Sequence, residues 1–290
     1  MSGGFNNSLG INNQKSFGYS PGTYQSGLQI LTTPSSNNTK GAWLQIGSNT
    51  AYDTTSMMFN FYYYTGASGP DYASSIDVGY GPSGAQQVLL SNVNMCLAGA
   101  TSANYISIFV NLLLPLQIPA NNAIWFRYAV TSTSQGFGTV AAFSTFDSSF
   151  VGNRSITKYD TLNASANSTA NTGRGTAIVS GLAAKGSYVQ LGTTTKDYSG
   201  FFICCDNAGL GVAQYSGSPT IGTFVLVDIA IGTSGSQQII LPNYLFSSAG
   251  ESCVNSPFYD IFIPAGTNIW ARGSYAGNTA TFGVTFYGAY

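Results

Sequence analysis

Charged residues are scarce in this sequence, and histidine is absent. Lys plus Arg number 9 and Asp plus Glu number 10 in 290 residues, so charged side chains make up 7%, whereas soluble proteins average about 25%. A formal net charge of −1 gives no attraction towards nucleic-acid phosphates or anionic lipids. The absence of histidine excludes Ser-His-Asp and Cys-His nucleophiles, histidine general bases and imidazole metal sites. We therefore expect no nucleic-acid partner, no membrane partner, no metal and no cofactor.

Carboxylates are too few and too scattered to favour acid–base catalysis. Glu251 is the only glutamate, and the other nine acids are aspartates spread along the chain. A polysaccharide depolymerase would need two carboxyl groups about 5 to 10 Å apart in a cleft, and nothing in the spacing places two together. Phosphate-binding, dinucleotide-binding, EF-hand and HExxH motifs are also missing. The sequence predicts that the protein is not an enzyme and has no catalytic residues.

Cysteines and long apolar runs are equally sparse. The cysteines are Cys96, Cys204, Cys205 and Cys253. None has CxxC spacing, so neither a zinc site nor a disulfide framework is expected. In a strand Cys204 and Cys205 would point to opposite faces, and we expect at most one of them to enter the core. The longest apolar stretch, 106–118, is interrupted and shorter than the roughly 20 residues that span a bilayer. The first 20 residues lack signal-peptide features, which favours synthesis in a reducing cytoplasm.

The residues that are present favour β-structure. Short β-branched or aromatic runs, bounded by Gly, Pro, Asn and Ser, include 107–110, 224–231, 238–241 and 281–287. Nowhere do apolar residues recur with the i, i+3, i+4, i+7 spacing of an amphipathic helix. Roughly seven or eight strands in each half, with turn signals every 8 to 12 residues, are typical of a β-sandwich or jelly roll.

Three blocks of sequence recur in the same order. The pairs are 41–47 with 186–192 and 118–127 with 263–272, both 145 positions apart, and 77–92 with 228–243, 151 positions apart. An offset that changes and then returns is typical of loops that differ in length between fixed strands. The sequence therefore predicts an all-β fold of two tandem jelly-roll-like antiparallel β-sandwiches, related by internal duplication.

Polar segments divide the predicted sandwiches. Residues 1–22, rich in Gly, Asn and Ser, are predicted to form an N-terminal arm, and 147–174 a linker or long surface loop. The two β-sandwich domains are then residues 23–146 and 175–290.

Acids and arginines recur at matching positions of the repeat. Asp77 matches Asp228, and Arg127 matches Arg272. One interpretation is a binding or catalytic acid with a basic partner. The other, which we favour because a scaffold contact must be copied with its domain, is a structural interstrand ion pair or turn-capping contact in each sandwich.

Aromatic residues make up 14% of the chain and supply candidate partner contacts. A tryptophan and an arginine two positions apart in a strand share one face. Such a pair could stack on a sugar ring or a protein, or the tryptophan could belong to the core with the arginine at its edge. The candidate partner-contact residues are Phe5, Phe17, Tyr19, Tyr62, Tyr63, Tyr64, Trp125, Arg127, Trp270 and Arg272.

The sequence DIAIGTSGSQQIILPN at 228–243, followed by IPAGTNIWAR at 263–272, resembles structural proteins of tailed bacteriophages. The likeness extends over both copies and is weaker in the first, where Tyr80 replaces Ile231 and Asn121 replaces Gly266. It implies a jelly-roll virion component that decorates capsids or forms part of fibres, and no binding residues carry over from it.

Two hypotheses follow from the resemblance. The first is a capsid decoration or cement protein on the phage head, which binds the major capsid protein or other virion proteins. The alternative is a head-fibre or tail receptor-binding protein that contacts host surface glycans, in which case a trimer is expected. Both predict localisation in the virion and a homo-oligomer, because a chain with net charge near zero has little colloidal repulsion and tends to associate.

Overall fold

The computed structural model describes residues 15–17, 29–30, 35–36, 39–46, 50, 53–64, 72–97, 108–130, 138–146, 156–162, 175–206, 224–247, 253–275 and 281–290. Within these ranges the regular secondary structure consists of β-strands alone. The first sandwich contains β1 (Lys15–Phe17), β2 (Gln29–Ile30), β3 (Leu44–Ile46), β4 (Thr54–Tyr64), β5 (Tyr72–Tyr80), β6 (Gln87–Leu97), β7 (Ile108–Ile118), β8 (Ile124–Val130) and β9 (Gly138–Phe146). The second contains β10 (Tyr159–Leu162), β11 (Thr176–Val179), β12 (Gly181–Leu182), β13 (Val189–Thr193), β14 (Gly200–Asp206), β15 (Phe224–Ile231), β16 (Gln238–Ser247), β17 (Cys253–Asn255), β18 (Asn268–Tyr275) and β19 (Thr281–Ala289).

Each sandwich has the strand order of a jelly roll. In the first, sheet 1A has the order β1-β9-β4-β7, with β2 also paired to β9, and sheet 1B has the order β3-β8-β5-β6. In the second, sheet 2A has the order β10-β19-β14-β17, with β11 on β19, and sheet 2B has the order β12-β18-β15-β16, with β13 on β18. From β3 onwards the chain crosses repeatedly between the two sheets of a sandwich, and the pairings other than β12 with β18 are antiparallel. Strands that alternate in this way between two packed sheets form the double Greek key of a jelly roll, so the predicted all-β jelly-roll fold is confirmed.

The recurring blocks occupy the same places in sheets 1B and 2B. The register of β5 against β6 shifts on either side of Val78, and that of β15 against β16 shifts on either side of Ile229. At each of these bulges, one residue of the neighbouring strand has a left-handed backbone. Its φ is 55° at Asn92 of β6 and 51° at Asn243 of β16. Asparagine adopts this conformation more readily than most residues. Equal bulges at equal positions give the two sheets the same local geometry.

Part of the predicted linker is a strand of the second sandwich. β10 pairs with β19 from Tyr159 to Leu162, and the side chains of Ile156 and Tyr159 are each 1% exposed. The polar residues around them hide this strand from a composition argument. β10 takes the place in sheet 2A that β1 takes in sheet 1A, where residues 15–17 of the predicted arm pair with β9.

The central strands of sheet 2A, β14 and β19, are buried on both faces. Along β14, Phe201, Ile203 and Cys205 belong to the core of the second sandwich, whereas Phe202 and Cys204 belong to the core of the first. The two adjacent cysteines therefore point to opposite faces as expected, but both are fully buried. The expectation that at most one enters a core is wrong, because it assumed a sheet with one face open to solvent.

Hydrogen bonds fix the two sandwiches to each other. The Tyr287 hydroxyl donates to the carbonyl of Asn92 at 2.7 Å, and the Tyr159 hydroxyl donates to the carbonyl of Pro115 at 2.8 Å. The ring of Tyr287 also stacks on Phe202 with centroids 4.3 Å apart. Burial raises the pKa of the Tyr159 hydroxyl, which keeps it a donor. Buried tyrosines with satisfied hydroxyls specify one relative orientation.

Candidate functional site

A buried aspartate of the first sandwich is contacted by two cationic side chains and one backbone N–H donor. Asp77 on β5 is 3% exposed and stands directly opposite Arg127 on β8. Arg127 Nε is 2.9 Å from Oδ2 of Asp77, and Lys40 Nζ is 2.9 Å from Oδ1. The backbone N–H of Asn92 also donates to Oδ1 at 2.9 Å. This bond ties the bulge of β6 to the ion pair, because Asn92 is the residue with the left-handed backbone.

The second sandwich has the same centre with the same partners. Asp228 on β15 is 3% exposed and stands opposite Arg272 on β18. Arg272 Nε is 3.0 Å from Oδ2, and Lys185 Nζ is 2.8 Å from Oδ1. The backbone N–H of Asn243 donates to Oδ1 at 2.8 Å. Of the two structural alternatives for these aspartates, the contacts are those of an interstrand ion pair, and the additional backbone donor lies at a strand bulge and not in a turn.

The electrostatics of the second centre leave the carboxylate of Asp228 a poor proton acceptor. Burial raises the pKa of Asp228, but hydrogen bonds from Lys185, Asn243 and Arg272 outweigh it and hold this pKa below its ordinary value. At Lys40 burial outweighs the attraction of Asp77 and lowers the pKa of the ammonium. Charge-assisted hydrogen bonds to a buried carboxylate fix geometry, and a carboxylate with several donors makes a weak general base. The centres are therefore suited to holding strands in register.

An aromatic ring covers the arginine of each centre. Arg127 Cζ lies 4.4 Å from the ring centroid of Trp43, and Arg272 Cζ lies 4.4 Å from that of Tyr188. At this distance the guanidinium is attracted by the ring quadrupole. The arginines therefore stack on residues of the first repeated block, and not on the tryptophans two positions before them.

The sequence interpretation missed the two lysines. Lys40 and Lys185 each stand one position before the first pair of recurring blocks, at the same offset of 145. Extending that block by one residue would have found them. With two lysines and two arginines, the two centres take four of the nine basic residues of the chain.

Trp125 and Trp270 secure turns beside the two centres. Trp125 is 7% exposed and Trp270 is 9% exposed. The indole N–H of Trp125 donates to the carbonyl of Gly81 at 2.7 Å, and that of Trp270 donates to the carbonyl of Gly232 at 2.7 Å. Their rings are buried under the turns that join β5 to β6 and β15 to β16, which leaves little ring surface for a partner.

A second pair of aspartates caps the turns before β8 and β18. Asp53 Oδ1 accepts the backbone N–H of Ala120 at 2.7 Å, and Asp197 Oδ1 accepts that of Ala265 at 2.7 Å. Sequence reasoning missed this pair because the aspartates lie outside the recurring blocks. The contact is a turn cap of the kind carboxylates commonly make.

A cavity of about 280 Å³ is lined in part by Trp125. Uncharged hydrogen-bonding groups provide most of its polar lining. The lining residues are Gln45, Gly81, Pro82, Ser83, Asn121, Asn122, Ala123 and Trp125. Amides and a hydroxyl beside an indole are groups that can bind a polar, uncharged ligand.

The remaining candidate contact residues lie elsewhere. Phe17 is part of β1, and Tyr62, Tyr63 and Tyr64 end β4. Phe5 and Tyr19 lie outside the described residues. The described ranges contain no group of three His, Cys, Asp or Glu side chains placed to hold a metal ion. Nor, within those ranges, is there a helix long and apolar enough to cross a membrane.

No protein-family model matches the chain, and no curated protein matches it. Among solved structures, a chain of Sulfolobus turreted icosahedral virus matches with 9% identity and a TM-score of 0.39, over 96% of this chain and 90% of that one. A chain of broad bean stain virus matches with 10% identity and a TM-score of 0.31, over 90% and 92%. Allantoicase matches with 11% identity and a TM-score of 0.24, over 96% and 91%. TM-scores this low do not define a shared fold, so the jelly-roll description rests on the strand order of the chain itself.

Proposed function

We propose that this protein is a non-enzymatic structural component of a virion and acts as a decoration or cement protein on a phage head. The observation that carries the proposal is the fusion of two jelly rolls into one block. Phe202 and Tyr287 of sheet 2A complete the core of the first sandwich. A protein that reinforces a shell must transmit force between its contacts, and close-packed cores transmit strain.

The charge distribution supports the same proposal. Asp77 and Asp228 are buried, and each is paired with one lysine and one arginine of its own sandwich. The formal net charge of the whole chain is only −1, so association with a neighbour meets little electrostatic repulsion and depends little on salt. The sequence resemblance of 228–243 and 263–272 to structural proteins of tailed bacteriophages is the second support.

Copy number in purified particles tests the proposal. Quantitative mass spectrometry would give the ratio of this chain to the major shell protein, and imaging would give its position. A decoration protein is expected in hundreds of copies, in a fixed integer ratio to the shell protein. Absence of the chain from particles would reject the virion role, and a few copies at a vertex or tail would reject decoration.

A receptor-binding protein of a head fibre or tail is the second candidate, and the cavity beside Trp125 favours it. Its volume of about 280 Å³ and its lining of Gln45, Ser83, Asn121 and Asn122 suit the hydroxyl groups of one sugar residue. Binding to host surface polysaccharide, measured by calorimetry and abolished by Asn121→Gly, is expected for this function only. Glycine removes the amide but keeps the left-handed backbone of residue 121, whose φ is 63°, and the second sandwich already has Gly266 at this position with φ of 78°.

A further inference from the structure

The outer face of sheet 2B carries an apolar patch at one end. Phe224 and Leu245 are 52% and 53% exposed, and Leu226 is half-buried. Leu226 pairs directly with Leu245 across β15 and β16. Phe224 precedes Leu226 by two positions and is therefore on the same face, diagonal to Leu245. The three side chains, here called the 2B patch, form one continuous apolar surface.

The first sandwich shows that the fold does not require this patch. At the offset of 151 the equivalent residues of β5 and β6 are Ala73, Ser75 and Asn94. Ser75 pairs with Asn94 just as Leu226 pairs with Leu245. The same sheet position in the same chain is thus built once with small or polar residues and once with large apolar ones. Contiguous exposed apolar residues commonly mark a protein-interaction surface.

The charges beside the 2B patch identify the chemistry of its partner. Asp228 follows Leu226 on the same face and is paired with both Lys185 and Arg272, so this centre has one positive charge in excess. The side chain of Arg272 is 26% exposed. A second copy docked through a two-fold axis would bring two positive centres together, which is unfavourable. A partner with a carboxylate at this position would be attracted instead.

We propose that the 2B patch is the surface through which this chain binds a different virion protein, whose contact surface is apolar and carries a carboxylate facing Arg272. The proposal rests on the proposed virion function and adds the surface and the class of partner. Three clustered apolar side chains are enough to serve as the central anchor of a protein interface. The excess charge at Arg272 then fixes the orientation of the partner more than it adds affinity.

The first sandwich supplies the substitutions for a test. In the full chain, Phe224→Ala, Leu226→Ser and Leu245→Asn together replace the 2B patch by residues that the same fold already accepts. The control is Phe262→Gln, which removes an apolar side chain that is 62% exposed outside the patch. It too takes the equivalent residue of the first sandwich, Gln117. Particles are produced with each variant, and copies of the chain per particle are counted by mass spectrometry.

We expect at least a tenfold loss of the triple variant from particles, with Phe262→Gln retained at the wild-type level. Equal retention of the triple variant would overturn the role of the 2B patch while leaving the virion function standing. Absence of the wild-type chain from particles would instead overturn the proposed function and, with it, the partner. Sedimentation of the purified chain tests the choice of partner: self-association that the triple substitution abolishes would show that the patch binds a second copy.

Discussion

The packing of Trp43 against Gly79 can be tested by replacing both residues with their equivalents in the second sandwich. A Cβ atom on Gly79 would lie 3.1 Å from Cη2 of Trp43 and 2.9 Å from the carbonyl oxygen of Gln87. Both distances are shorter than ordinary van der Waals contacts, so we expect Gly79→Ala to cost about 1 to 3 kcal/mol as overpacking. At the equivalent positions the second sandwich has Ala230 and the smaller ring of Tyr188. Trp43→Tyr should therefore relieve the contact of the alanine methyl group with the ring, whereas the contact with the Gln87 carbonyl remains.

A double-mutant cycle measures this compensation. The free energy of unfolding is determined by urea denaturation for the wild type, Gly79→Ala, Trp43→Tyr and the double variant. We expect the double variant to be more stable than the sum of the single effects predicts, by about 1 kcal/mol. The reverse cycle with Ala230→Gly and Tyr188→Trp is the matched control. Additivity within about 0.5 kcal/mol would refute the argument, since it would show that the ring of Trp43 does not limit residue 79.

Four further outcomes follow from the charge centres and from the contact between the sandwiches. Asp228→Asn leaves two cations without their carboxylate and should lower the free energy of unfolding by about 3 kcal/mol, measured by urea denaturation. An effect under about 1 kcal/mol would show that solvent already screens the centre. Because the pKa of Asp228 is held below the ordinary 3.8, its stabilisation is present above that pH and is lost as the pH falls through the lower folded value; acid titration of stability should show this loss in the wild type and not in Asp228→Asn. Tyr287→Phe leaves the carbonyl of Asn92 without the tyrosine donor and should lower the free energy of unfolding by about 1 to 2 kcal/mol. Unfolding of the wild type should follow one transition by both fluorescence and circular dichroism. Two separated transitions would contradict a shared core.

The sequence predicted the features that depend on local pattern. Short β-branched runs and recurring turn blocks were sufficient for two jelly rolls, and matching residues were sufficient to pair Asp77 with Arg127. Contacts that depend on tertiary structure were not accessible in this way. β10 contains too few apolar residues to be recognised before β19 is known to be its neighbour. The burial of both faces of sheet 2A, and with it of Cys204 and Cys205, follows from the docking of one sandwich on the other, which no local periodicity records.

The two charge centres explain how a chain with few charges maintains the register of its strands. A slip of one residue would move every side chain of a strand to the other face, and sheets rich in Ser, Thr and Gly resist such slips weakly. Asp77 prevents a slip on both sides at once, because it pairs with Arg127 on β8 and accepts the N–H of Asn92 on β6. A buried ion pair often adds little net stability over apolar residues of similar volume, so specificity is the better physical reason for its presence in both sandwiches. The centres thus favour a single register in sheets 1B and 2B, although the rest of each sheet carries few charges.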